Sequence, residues 1–107
     1  MGSLQQVDDT SFQDVLDSST TPVLADFFAE WCPPCRKLGP TLGAVAEDLE
    51  GRLTIVKINV DKTSLAPNYG VMNIPTMILF KNGEEISRLV GNRSRQALIK
   101  ELEPHLD

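Results

Sequence analysis

Seven consecutive residues, Val23-Leu24-Ala25-Asp26-Phe27-Phe28-Ala29, are apolar at odd and even positions alike, apart from one aspartate. A strand with one wet face alternates apolar and polar side chains. One that does not alternate is covered on both faces, as in a sheet with helices packed on either side. This strand runs into Glu30-Trp31-Cys32-Pro33-Pro34-Cys35, a tight turn that carries both cysteines of the chain. The remaining elements must build around that strand and present that turn.

Two intervening residues put Cys32 and Cys35 at i and i+3, neighbours on one face if a helix begins in the turn and close enough for a disulfide. Pro34 signals a helix start, since a proline in the first helical position loses an N–H that has no partner there anyway. Pro33 precedes a proline and is biased toward extended geometry. The helix is therefore expected from about Pro34, with Cys32 just outside its N-terminus and Cys35 in its first turn. At that end free N–H groups and the helix dipole stabilise an anion, which lowers a cysteine's pKa. The thiolate is the form that attacks disulfides. Cys32 thus reads as a nucleophile and Cys35 as a resolving thiol. The bland alternatives are a structural staple and half of a metal site. So short a loop limits a staple to ~2 kcal/mol. Zinc normally needs four ligands, and the chain has no further cysteine and one histidine, His105.

Along the chain, Val7 closes a short first strand. Asp9 or Thr10 caps a helix over Ser11–Asp17, striped by Phe12, Val15 and Leu16. The helix from Pro34 should reach about Leu49 with Leu38, Leu42, Val45, Ala46 and Leu49 inward, a kink at Pro40 and Gly51 as its stop. Leu53–Val60 is the next strand and Ser64–Tyr69 a short helical turn. Thr76–Lys81 and Glu85–Val90 flank Asn82-Gly83, a strong hairpin signal. Ser94–Glu103 is an amphipathic helix that Pro104 ends or kinks. The order β-α-β-α-β-α-β-β-α predicts an α/β fold, a mixed sheet with helices on both faces.

With 107 residues and no linker, repeat or low-complexity tract, residues 1–107 read as one domain. A net charge of −5 argues against nucleic-acid binding by bulk electrostatics. No apolar run approaches the ~20 residues of a membrane span. Met1–Gln6 lacks the features of a secretory signal and of a myristoylation signal. Met1-Gly2-Ser3 reads equally as a native start or a remnant of expression. The default location is a reducing cytoplasm, where a cysteine pair is catalytic more often than structural. An exported protein whose leader had been removed would read the same.

Asp26 is the odd member of its strand. Burial makes a carboxylate expensive unless it is hydrogen-bonded or neutral, so its pKa should rise, and near neutrality it could accept a proton. The alternative is a buried aspartate bonded to local backbone. Lys57 interrupts the neighbouring strand and reads either as a charge near Asp26 or as an ordinary snorkelling lysine. Trp31, large and apolar beside a nucleophile, reads as part of a docking patch. His105 lies past the last helix as a solvated residue, not as a base for Cys32. Glu47, Asp48 and Glu50 read as a solvated helix end.

Taken together, Ala25-Asp26-Phe27-Phe28-Ala29-Glu30, Trp31-Cys32-Pro33-Pro34-Cys35-Arg36, Ile74-Pro75-Thr76 and Phe80-Lys81-Asn82-Gly83 resemble the thioredoxin family, over about Val7 to Leu106. The resemblance implies the thioredoxin fold and a general protein disulfide reductase, a monomer with no bound cofactor, its redox equivalents held in Cys32 and Cys35. It implies that Asp26 helps deprotonate Cys35 and that Lys57 tunes Asp26. It implies a cis Ile74–Pro75 bond facing the cysteines, with Pro75 keeping metal from the thiols and Ile74's backbone free to pair with an extended substrate. Trp31, Pro33, Pro34, Ile74, Val90 and Gly91 match the family's shallow docking surface, with Val60 nearby. The implied partners are disulfide-containing proteins and an NADPH-dependent flavoprotein reductase, with no nucleic acid and no membrane.

Four positions depart from the family pattern: Pro33 replaces glycine, Arg36 lysine, Phe28 tryptophan and Asn73 glycine. Pro33 removes a backbone N–H beside the thiolate and stiffens the turn. That keeps two rivals open: an oxidant or isomerase on the same fold, and a non-catalytic binding subunit. A Cys-Pro-Pro-Cys pair also resembles the membrane-anchored, exported reductases of the same superfamily, which carry a leader or anchor and an insertion not found in this sequence.

Overall fold

The computed structural model describes residues 4–106; the ambiguous start at Met1–Ser3 lies outside them. Five strands form one sheet in the order β1-β3-β2-β4-β5. They are β1 Gln5–Val7, β2 Val23–Phe28, β3 Thr54–Asn59, β4 Thr76–Lys81 and β5 Glu84–Val90. The strand that does not alternate is the central one, and all six of its residues are buried. It pairs in parallel with β3 and antiparallel with β4, so the sheet is mixed as expected.

The parity of β2 assigns the two cores. Leu24 joins Met77 and Leu79 of β4 on one face, covered by α2 (Pro33–Asp48) and α4 (Arg95–Leu102) through Leu38, Leu42, Val45, Leu98 and Leu102. Val23, Ala25 and Phe27 join Ile78 and Phe80 on the other face, under α1 (Asp9–Ser18) and the short α3 (Leu65–Asn68). Phe12 of α1 meets Phe80 and Tyr69 edge to face at 5.5 and 5.9 Å, the arrangement aromatic quadrupoles favour. Both faces of β2 are dry because each has its own helical layer.

Helix ends differ from expectation by a residue or two. Asp8, not Asp9 or Thr10, caps α1: its carboxylate accepts from the N–H groups of Thr10 and Ser11, and the Ser11 hydroxyl closes the box by accepting from Asp8 N–H. The helix α2 begins at Pro33 rather than Pro34, with Cys32 as its N-cap. The bias against helical geometry before a proline yields there, because a residue in the first turn must only supply a φ that proline already has. The helix continues through Pro40 and ends at Asp48, with Gly51 in a left-handed turn at φ 83°. In the β4–β5 hairpin Asn82 and Gly83 both have positive φ, 54° and 81°, as a two-residue turn of this hand requires. Past α4, Pro104 lies in a short 3-10 turn, Glu103–His105. Arg95 at the start of α4 forks onto both oxygens of Asp48 at 2.6 Å, tying the end of α2 to α4. No helix among the described residues is long and apolar enough to cross a membrane.

Candidate active site

The C-terminal end of β2 leads through Ala29 and Glu30 to the cysteine turn. Cys32 and Cys35 are disulfide-bonded, with Cα atoms 5.2 Å apart, and each is only 4% exposed. The Cys32 sulfur is the N-terminal cap of α2 and accepts the Cys35 N–H at 3.2 Å. With proline at 33 and 34, the two residues between the sulfurs carry no N–H, so Cys35 is the first in the helix able to donate one. Arg36 then follows with its N–H on the Cys32 carbonyl and its guanidinium on the Glu30 carbonyl at 2.9 Å. The turn is thus clasped to the strand that feeds it.

Two residues before Phe28 in β2, Asp26 is 1% exposed and neither carboxylate oxygen has a hydrogen-bond partner among the described residues. Local backbone bonding, the bland alternative for this residue, is not what holds it. Burial pushes its carboxyl from the ordinary 3.8 up to about 7, and the positive charge of Lys57 works against that rise. Lys57 sits directly across the β2–β3 ladder from Asp26, with its ammonium 4.2 Å from the centre of the Phe28 ring. A cleft of about 400 Å³, lined among others by Phe28, Cys35, Gly39, Pro40 and Lys57, runs between β3 and α2. It connects the region of Lys57 with Cys35. A Lys57→Gln substitution should therefore move the Asp26 midpoint above about 7, since the opposing charge is removed. A pH titration of the Asp26 carboxyl carbon by NMR checks this, and an unmoved midpoint would refute the coupling.

The Ile74–Pro75 bond is cis, as the resemblance implied. Ile74 and Val60 pack against the cluster of Phe28, Ala29, Cys32 and Cys35. Gly91 N–H donates to the Pro75 carbonyl at 2.8 Å, which brings the end of β5 beside that loop. Trp31 is 66% and Val90 51% exposed, and Pro33 and Pro34 are exposed between them in sequence. His105 is elsewhere: its carbonyl accepts from Lys81 Nζ, and Lys81 ends β4, whose start lies beside the cysteine end of β2. The histidine therefore lies at the opposite end of the sheet.

Over residues 3–104 the chain matches the sequence model of the thioredoxin family. It is 42% identical to thioredoxin 1 of a Nostoc species, covering 99% of this chain and all of that one. To the thioredoxin of Griffithsia pacifica it is 40% identical, over 97% and 96% of the two chains. The solved structure of a mutant thioredoxin from Halobacterium salinarum superposes with a TM-score of 0.88 at 34% identity, covering 99% of this chain and 93% of that one. The chain belongs to the thioredoxin family. It is a thiol-disulfide oxidoreductase with the thioredoxin fold, a protein-disulfide reductase whose redox centre is a cysteine pair rather than a bound cofactor.

One residue of this thioredoxin-family site carries no sequence signature. Asp61 accepts the Trp31 indole N–H at 2.8 Å, and its own N–H is held by the buried Asn59 side chain. This bond fixes the indole plane beside Cys32 while leaving the ring exposed. The only sequence signal was position, just past the end of β3, and an aspartate in a turn has many commoner explanations.

Proposed function

We propose that Cys32 attacks target disulfides, Cys35 resolves the mixed disulfide and Asp26 accepts the Cys35 proton. The Cys32 thiolate forms a bond to one target sulfur, and the other leaves as a thiolate that takes up a proton. Cys35, deprotonated toward Asp26, then attacks the Cys32 sulfur and expels the second target thiolate. Two electrons have passed to the target, and the Cys32–Cys35 disulfide remains. Trp31, Pro33, Pro34, Ile74, Val90 and Gly91 form the shallow surface that receives the target segment, with Lys57 tuning Asp26 and Pro75 shielding the thiols. Regeneration falls to an NADPH-dependent flavoprotein reductase, and the working compartment is the cytoplasm.

The observation that carries this reading is the Cys32 sulfur capping a 16-residue helix, where the dipole and one backbone donor favour its anion. The two prolines supply a specific reason for a second reading, an oxidant or isomerase, because they thin the donors around that anion. Equilibration of the Cys32–Cys35 couple in defined glutathione buffers separates the two. The expected midpoint lies below about −260 mV, where reduction of protein disulfides is downhill against the glutathione pool. A midpoint above about −220 mV would place the molecule among the oxidants.

A further inference from the structure

Lys37 and Thr41, one turn apart on α2, face the loop Asn92-Arg93-Ser94 across an open depression of about 400 Å³. No carboxylate lines it. Neither Lys37 nor Thr41 has a side-chain partner among the described residues. Arg93 is held in place by Glu101 at 2.9 Å and by the Val90 carbonyl at 2.8 Å, so the loop is rigid and Lys37 carries the unbalanced charge. The same loop begins at Val90 and Gly91, and α2 begins at Pro33, so the depression continues the surface that would receive a target. The other flank of the cysteines carries both signs, with the Arg36 guanidinium on the Glu30 carbonyl. There Glu30 faces Lys62 at 3.8 Å, and Asp61 holds Trp31. A protein of net charge −5 thus keeps a local cationic margin beside its cysteine turn.

We propose that this depression is a subsite for an aspartate or glutamate side chain of the target protein, set a few residues from the cysteine that Cys32 attacks. The proposal rests on the docking reading above. A rise of 1.5 Å per residue puts Lys37 ~6 Å along α2 from Pro33. An extended target segment advances about 3.3 Å per residue, so a carboxylate about two to four positions from the target cysteine reaches the ammonium. Its charge meets Lys37 and its oxygens meet the Thr41 hydroxyl. Complementary charge at such a margin steers and orients more than it tightens, which sets the direction in which a segment lies across the pair.

The test uses three disulfide peptides: one with Glu three residues before the target cysteine, one with Glu three residues after it, and one with Gln at both places. The expected result is a preference in kcat/KM of about three- to fivefold for one Glu peptide at low salt. That preference should vanish in Lys37→Ala, reverse in Lys37→Glu and shrink as salt rises in the unaltered protein. Equal kcat/KM for all three peptides, or a preference that survives Lys37→Glu, would overturn the subsite and leave the reductase reading standing. Failure to reduce any of the peptides would instead overturn the docking reading on which it rests.

Discussion

Replacing Cys35 by serine should stop turnover and leave target proteins covalently attached through Cys32. The first half of the exchange needs only the Cys32 thiolate and the docking surface, both retained by the variant. The second half needs a sulfur anion 5.2 Å away at Cα distance, within one turn of the same helix. A serine hydroxyl at that place is a far weaker nucleophile and cannot form a disulfide. Multiple-turnover reduction should fall on the order of a thousandfold or more, while one equivalent of target becomes trapped. Non-reducing gels and intact mass measure the adduct, and added dithiothreitol should release it. Cys32→Ser should trap nothing, because Cys35 lies inside the first turn of α2 and does not cap its N-terminus as Cys32 does. Adducts that accumulate on Cys32→Ser and not on Cys35→Ser would reverse the order of attack.

Much of this arrangement was legible in the sequence because single residues carried strong constraints. The lack of alternation from Val23 to Ala29 required two helical layers, and the two buried clusters on either side of β2 are those layers. Asn82-Gly83 located the hairpin because few other pairs accept positive φ at both positions. Asp26 was identifiable as a strained group, since an acid in a dry strand has to be neutral, paired or useful. Positions that depended on competition between local effects were harder. Pro33 was pulled one way by its following proline and the other by its own ring, and the start of the helix shifted by a residue. The cap was expected at Asp9 or Thr10, and only the Ser11 hydroxyl, closing the box on Asp8, sets it earlier. The bond from Trp31 to Asp61 spans thirty positions in sequence, and periodicity has no means of announcing such a contact. The depression over Lys37 is invisible for the same reason, being assembled from α2 and a loop that the fold alone brings together.

Asp26→Asn should make the oxidised protein more stable, by an amount that grows with pH. An ordinary aspartate ionises near 3.8 in the unfolded chain, whereas the buried one ionises near about 7. Between those values the folded protein holds a proton that the unfolded chain has released, so raising the pH favours unfolding. The contribution of Asp26 to stability is therefore most favourable below the unfolded value, declines from about pH 4 to about pH 7 and levels off above. At 1.36 kcal/mol per pH unit, the gap corresponds to about 4 kcal/mol at the alkaline end. Asparagine has nearly the same shape and no charge, so its cost does not change across that range. The two urea-derived stabilities should converge near pH 4 and stand about 4 kcal/mol apart by pH 8; a constant difference would show that ionisation of Asp26 is not what is being removed. The same substitution should slow resolution of the mixed disulfide by about ten- to a hundredfold at pH 8, where the carboxylate would otherwise accept the Cys35 proton. In the unaltered protein that step should accelerate as pH rises through about 7, the range in which Asp26 gives up its own proton. In the proposed mechanism, the ionised form of Asp26 that costs folding energy is the form that accepts the Cys35 proton. Loss of activity and gain of stability in one variant, both turning on the same midpoint, is the signature that a merely structural aspartate would not produce.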